Sequence, residues 1–226
     1  MKATEHNRFK SIYWIEFDDG TKKLATVNLA SGNQVYGEKL LEIGGVEYRL
    51  WDPYRSKLAA AILKNIKEVP IKSDSCVLYL GAASGTTASH VSDIIGANGS
   101  LYCIEVSSRP LRDLLLVCDK RQNMAPILAN ARDVSSYSSI VQNVDVIYQD
   151  VAQPDQTDIL LANTRAYLNE GGHAVLALKA RSIDVTKEPR EIFRDEMDKL
   201  DKEMDVIDAK TLDPYEKDHA MLILKK

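Results

Sequence analysis

Val77-Leu78-Tyr79-Leu80-Gly81-Ala82-Ala83-Ser84-Gly85-Thr86-Thr87 is the stretch from which the fold can be read. Four apolar residues lead into a run of glycines and small side chains, and a helix begins near Thr86. A strand feeding such a loop and then a helix gathers backbone N–H groups and a helix N-terminus around a ligand, and the small side chains let the backbone come close. No Gly-Lys-Ser/Thr completes a phosphate-binding P-loop, and the full G-x-G-x-x-G of dinucleotide enzymes is missing. A tight structural turn also uses glycines of this kind, so the loop needs a second feature before it indicates a site.

Glu105 is that feature. It lies about 20 residues beyond the loop, at the end of the next apolar run, Leu101 to Val106. In a doubly wound sheet, a carboxylate there reaches the ribose hydroxyls of an adenosine cofactor. NAD and S-adenosylmethionine both remain open on these two features. The unpaired glycine pattern favours S-adenosylmethionine, which has no pyrophosphate to cradle.

Outward from this unit, short apolar runs alternate with amphipathic ones. Apolar strands are expected at Cys76–Leu80, Leu101–Val106, Pro126–Ala129, Val144–Tyr148 and His173–Leu178, with helices from about Thr86, through residues 111–122 and through 155–168. Continuous apolar strands separated by helices predict a parallel sheet covered on both faces. A helix over 188–204 presents Phe193, Met197, Leu200 and Met204 as one core-facing stripe. The terminal strand Ala220–Leu224 follows a turn at Pro214 too short for a parallel crossover, so it returns antiparallel. Before the alternating region, Asp52 is expected to cap a helix over 53–69 that opens with Pro53. The first 52 residues form a small antiparallel β subdomain, with hairpins turning at Asp18-Asp19-Gly20 and Gly44-Gly45; residues 53–226 form the second unit.

Composition narrows the function. The chain has 226 residues, 45% hydrophobic and 27% charged, in the range of ordinary globular domains. No apolar run is long enough to span a membrane and the start is polar, so a cytoplasmic protein is expected. Cys76, Cys103 and Cys118 lack the spacing of a disulfide framework or a zinc site. A net charge of −4 opposes unaided binding of a polyanion unless basic residues gather on one face. Two candidate clusters exist: Arg55, Lys57, Lys64 and Lys67 on the opening helix, and Arg109, Arg112, Lys120 and Arg121 on another. His90, on the helix after the loop, is expected to brace packing rather than to catalyse.

Five runs then become specific: YRLWDPYRSKLAAAIL at 48–63, VLYLGAASGTTASHVSDIIG at 77–96, DVAQPDQT at 150–157, GGHAVLALKA at 171–180 and PYEKDHA at 214–220. Together they resemble fibrillarin, the RNA 2′-O-methyltransferase that works with C/D-box guide RNAs, over nearly the whole chain. With no glycine- and arginine-rich extension, the chain is similar to the archaeal form. The resemblance implies an α/β, Rossmann-like methyltransferase fold whose seven-stranded, mostly parallel sheet carries helices on both faces. It implies S-adenosylmethionine as cofactor, held by Gly81, Ala83, Gly85, Thr86 and Thr87 of the loop, by Glu105 and Val106, by Asn130 and Ala131 beside the adenine, and by Asp150, Val151, Ala152 and Gln153 toward the methionine end. Val106 and Asn130 depart from the family pattern, where an aromatic and an aspartate are usual.

The resemblance further implies a catalytic set of Lys57, Asp150, Lys179 and His219, without a metal. Lys179 would contact the ribose 2′-oxygen and Asp150 would orient Lys179. His219 would complete the hydrogen-bond set, and Lys57 would hold a target phosphate or Asp150. The implied partners are a C/D-box guide RNA with its target RNA, a Nop-domain scaffold protein and a kink-turn-binding ribosomal-type protein. Three rivals remain: a stand-alone methyltransferase acting on tRNA or a small molecule, a silent binding module of the same fold, and an NAD-dependent oxidoreductase. The first would need a recognition insert that the sequence lacks, the second is at odds with four intact catalytic positions, and the third has the wrong loop.

Overall fold

A computed structural model describes residues 1–226. The N-terminal part is a five-stranded antiparallel sheet: β1 (Lys2–Glu5), β2 (Tyr13–Glu16), β3 (Lys22–Val27), β4 (Leu40–Ile43) and β5 (Val46–Leu50), in the order β1-β2-β3-β5-β4. The two expected hairpins are present, at Asp18-Asp19-Gly20 and Gly44-Gly45. Strand β1 was not expected, because Lys-Ala-Thr-Glu carries no apolar run. It forms by pairing with β2, register Lys2 to Glu16 through Glu5 to Tyr13.

The rest alternates strand and helix: α1 (Lys57–Leu63), β6 (Cys76–Leu80), α2 (Thr86–Ile95), β7 (Ser100–Glu105), α3 (Ser108–Asp119), β8 (Met124–Leu128), β9 (Val144–Gln149), α4 (Gln156–Tyr167), β10 (Leu168–Lys179), α5 (Ala180–Ile183), α6 (Pro189–Leu200), β11 (Asp205–Thr211) and β12 (His219–Lys225). These seven strands form one sheet ordered β11-β12-β10-β9-β6-β7-β8. Strands β6 to β10 pair parallel, while β12 runs antiparallel to both β10 and β11. From β6 the chain builds outward through β7 and β8, then crosses to the other side for β9 and β10. The order reverses between β6 and β9, and open α/β sheets bind their ligands at the carboxyl ends of strands flanking such a point.

Strand side chains divide between two cores with period two. Val77, Tyr79, Val146, Tyr148, Val175 and Ala177 face the core covered by α1 and α2. Leu78, Leu80, Ile147, Ala174, Leu176 and Leu178 face the one covered by α4 and α6. Phe193 and Leu200 of the expected stripe enter this second core with Met204, while Met197 packs at its edge. The N-terminal sheet has a small core of its own at Ile15, Ala25, Leu41 and Tyr48, yet Leu24 and Trp51 pack into the α1/α2 core.

The opening helix differs from the expected span of 53–69. Asp52 makes a turn instead, its side chain accepting from the N–H of Tyr54 at 2.9 Å and its carbonyl from Arg55. Ser56 caps α1, and the helix has already ended when Asn65 takes a left-handed φ of 58°. Ile66 and Val69 reach the core from the following loop. Of the two basic clusters, Arg121 lies buried beneath α2, so it leaves the expected surface group. Arg55, Lys64 and Lys67 flank α1 rather than lie on it.

Candidate active site

Gly81, at the end of β6, sits at φ +82°, and a Cβ there would stand 2.4 Å from the Asp150 carbonyl oxygen. Only glycine lets the ends of β6 and β9 approach this closely. Ala83 adopts φ +48°, and its N–H is held by Glu105 Oε2 at 2.9 Å. Glu105 Oε1 accepts from Ser107 N–H at 2.8 Å. The buried carboxylate therefore braces the loop, a role sequence reasoning missed. With roughly four lone-pair sites, it keeps two for a ligand's hydroxyls.

A cleft of about 180 Å³ opens beside this brace, at the switch point of the sheet. Of the expected cofactor residues, it is lined by Gly81, Ala83, Glu105, Val106, Asn130, Ala131, Asp150, Val151, Ala152 and Gln153. Gly85, Thr86 and Thr87 stand outside this lining. Gly85 is the N-cap of α2, and Thr87 is buried with its hydroxyl donating to Ser56 Oγ at 3.0 Å. Asn130 is exposed and its side chain accepts from Arg132 N–H at 3.1 Å, so the position without aspartate retains an acceptor role. Val106, 62% exposed, offers an apolar wall where an aromatic ring would have offered a stacking face.

Two features of the rim carried no sequence signal. Ile159 lines the cleft from α4, and Arg132 crosses to Asp155 and to Gln153 Oε1, the latter at 2.9 Å, fixing the Gln153 amide. The lining is thus apolar with acidic and amide acceptors and no lysine or arginine. That chemistry suits a cationic ligand bearing a ribose and an adenine, and S-adenosylmethionine is such a ligand.

Next to the cleft, Lys57 Nζ lies 2.9 Å from both carboxylate oxygens of Asp150. Lys57 opens α1 and Asp150 follows β9, so the pair bridges the helix and the carboxyl edge of the sheet. Of the two roles expected for Lys57, this is the contact with Asp150. Lys179 ends β10 directly opposite His219, the first residue of β12. Residues opposed in an antiparallel pair project to the same face with Cβ atoms about 5 Å apart. Gln156, buried at the start of α4, accepts from Lys179 N–H at 2.9 Å and donates to its carbonyl at 3.1 Å. The Lys179 backbone is clamped, while its ammonium makes no hydrogen bond within the protein. Asp150 is engaged by Lys57 and not by Lys179, contrary to the expectation that it orients Lys179. His219 is buried, and its Nδ1 lies 2.7 Å from the Lys217 carbonyl. A carbonyl only accepts, so Nδ1 carries a proton and donates it there, leaving Nε2 as the ring nitrogen free to meet a ligand.

Behind the loop, α2 is anchored by a buried polar cluster. Asp93 is paired with Arg49 at 2.8 Å and Arg121 at 2.5 Å, and Arg49 also reaches Glu38. Thr26 donates to Asp93 Oδ2 at 2.7 Å and so accepts from His90 Nδ1 at 2.8 Å. His90 stacks on Trp51 at 4.7 Å, and burial, with Arg49 and Arg121 nearby, holds its imidazole well below the usual histidine range. The helix carrying the glycine loop is thereby tied to β3 and β5, and His90 braces packing as expected. Burial also pushes up the thiols of Cys76 and Cys103, and that of Cys118 to about 11. They are packed rather than reactive.

The Fibrillarin family model matches residues 3–226. A Methanopyrus kandleri protein named fibrillarin-like rRNA/tRNA 2′-O-methyltransferase is 52% identical over 224 residues, covering 99% of this chain and 97% of its own. The structure of Aeropyrum pernix fibrillarin with natively bound S-adenosyl-L-methionine superposes with a TM-score of 0.93 at 47% identity, covering 99% of this chain and 98% of that one. A fibrillarin solved in complex with Nop5p superposes at 0.85 with 41% identity, over 93% and 96% of the two chains. With family match, identity and coverage all extending across its length, this chain belongs to the fibrillarin family.

Proposed function

We infer that the protein transfers a methyl group from S-adenosylmethionine to ribose 2′-hydroxyls of rRNA and tRNA, as the catalytic subunit of a C/D-box ribonucleoprotein. The observation that carries this reading is that the Lys57–Asp150 pair and the opposed Lys179 and His219 all stand at the carboxyl edge of the sheet, where Asp150 lines a cleft with acceptor groups for an adenosine.

Glu105 would hold the ribose of the cofactor through its two uncommitted lone-pair sites, Asn130 and Ala131 would flank the adenine, and Asp150 to Gln153 would border the methionine end. When bound, the cofactor supplies an electrophilic methyl on a sulfonium. The protein's own task is then to align a ribose 2′-oxygen and to help its proton leave. Lys57 fixes the Asp150 carboxylate beside the cleft. Lys179, its backbone clamped by Gln156 and its ammonium uncommitted, holds the 2′-oxygen and the charge that develops there. His219, with Nδ1–H given to Lys217, keeps Nε2 as the ring nitrogen free to meet a ligand.

Targeting falls to partners. A chain of net charge −4 makes weak and salt-sensitive RNA contacts unaided, which supports selection by a guide RNA. A Nop-domain scaffold docks the enzyme and a kink-turn-binding protein anchors the guide. The test is methyl transfer from labelled S-adenosylmethionine to a target RNA, with and without the guide and the two proteins. Transfer only in the full assembly is expected. Transfer by the protein alone would instead make it a stand-alone methyltransferase.

A further inference from the structure

A second and larger cleft, of about 560 Å³, runs between the N-terminal sheet and the turn leading into α1. Its walls carry Lys23, Lys39 and Arg55, none of which makes an ion pair. Lys22, also in the wall, is loosely paired with Glu16 at 3.2 Å. Of the two carboxylates here, Glu38 is turned inward, engaged by Arg49 and by the N–H groups of Val35 and Tyr36. Asp52 alone faces the cleft side, with one oxygen accepting from Tyr54 N–H. An acidic chain thus holds a locally basic groove.

The groove also carries an aromatic platform. Tyr54 is 61% exposed and is held edge-on against Tyr215, ring centres 5.2 Å apart. Arg55 lies 5.8 Å over the ring of Tyr36, which keeps its guanidinium in the wall. Cations interleaved with an exposed, braced aromatic ring form the usual surface for a nucleic-acid strand, with phosphates on the cations and a base or sugar against the ring. Two walls of the groove are built by segments that run directly into the site already described. Tyr54 and Arg55 lie just before Lys57 on one wall, and Tyr215 lies just before His219 on the other.

We propose that this cleft seats the backbone of the RNA strand flanking the nucleotide to be methylated, with Lys23, Lys39 and Arg55 on its phosphates and Tyr54 packed against a base or ribose. The proposal rests on the reading of the adjoining site as an RNA 2′-O-methyltransferase. An acidic segment of a protein partner would also suit the cations. It would have no need of a braced aromatic face, nor of walls that lead to Lys57 and His219.

The test uses the full assembly with guide and target RNA, comparing wild type with Lys23→Gln/Lys39→Gln/Arg55→Gln and with Tyr54→Ala. The triple variant should raise the KM for target RNA about tenfold, and should make the salt dependence of log kcat/KM shallower by about 2, since each phosphate contact to a single strand contributes about 0.7 to the slope. Affinity for S-adenosylmethionine and entry into the assembly should not change. If the triple variant is unstable, Lys39→Glu carries the same test from an exposed side chain. Unchanged KM and slope would overturn the proposal, and so would failure of a folded variant to enter the assembly, which would give the groove to a protein partner. Photo-crosslinking of thiouridine placed beside the target nucleotide supplies a readout without turnover. Crosslinks within residues 36–39 or 52–55 support the cleft and crosslinks elsewhere overturn it. A wild-type assembly that transfers no methyl group refutes the functional reading, whereas an active wild type with indifferent variants refutes only the cleft.

Discussion

Lys57 and Asp150 are 93 positions apart in the chain, yet the lysine ammonium sits 2.9 Å from each oxygen of the carboxylate. Both side chains are about four-fifths covered, so each is the other's close charge partner in a site largely screened from solvent. Lys57→Ala leaves the carboxylate without its partner, and methyl transfer should fall by about 100-fold, in the range for losing a positioned polar group. Single-turnover kinetics with saturating cofactor provides the check. A loss confined to the KM for RNA would show that Lys57 serves a phosphate instead.

Gln156 should act on catalysis without touching a reacting atom. Its amide makes both hydrogen bonds to the Lys179 peptide group. Gln156→Leu keeps the volume and removes both, along with the donation to the Gln153 carbonyl at 2.9 Å, while Arg132 still holds the Gln153 side chain at the cleft. A fall in kcat of about tenfold is expected, with calorimetric affinity for S-adenosylmethionine unchanged. Equal losses in kcat and in cofactor affinity would indicate a general collapse of the rim.

Gly81→Ala is the sharpest probe of the loop. The new Cβ would meet the Asp150 carbonyl oxygen at 2.4 Å with the backbone at φ +82°. Strain of about 1–3 kcal/mol is expected, together with a cofactor affinity at least about tenfold weaker, as β6 and β9 are forced apart. Thermal unfolding measured with and without cofactor separates the two effects.

The cluster behind α2 is the region most sensitive to charge. Arg121→Met leaves Asp93 with a single guanidinium in a fully buried setting, and breaking such a group from one side costs about 3–5 kcal/mol. Denaturant titration should show a lower midpoint with an unchanged slope.

His90 gives the pH dependence a definite sign. Burial and the two arginines lower its pKa in the folded state, so the unfolded chain takes up the proton first. Its contribution is fully present above about pH 6.5 and is lost as pH falls below that value, at up to about 1.4 kcal/mol per pH unit. His6 and His173 are also lowered, chiefly by burial. The His90 part is therefore read as the difference in slope between wild type and His90→Gln from pH 7 to 5. Parallel curves would contradict it.

Much of this arrangement is legible in the sequence because it is local. The apolar strands, the glycine loop and the carboxylate at the end of β7 all follow from spacing within a few tens of residues, and the sheet order places them together. Three features are not local. Arg121 resembles any arginine at the end of an amphipathic helix, and only the packing of α2 against β3 and β5 buries it on Asp93. Asp52-Pro53 has the chemistry of a helix start, but the chain makes a turn there and Ser56 supplies the cap. Gln156 and Arg132 act through backbone and amide groups that only the tertiary fold brings near. The catalytic set was named by resemblance, since an isolated lysine or histidine carries no signal in its own neighbourhood.

The most direct test is to run the reconstituted assembly with labelled S-adenosylmethionine, digest the target RNA to nucleosides, and compare wild type with Lys179→Ala at saturating cofactor. Wild type should place the label on a ribose 2′-oxygen, and the variant should bind cofactor normally but transfer at least about 100-fold more slowly. Label on a base, or undiminished transfer by Lys179→Ala, would contradict this reading.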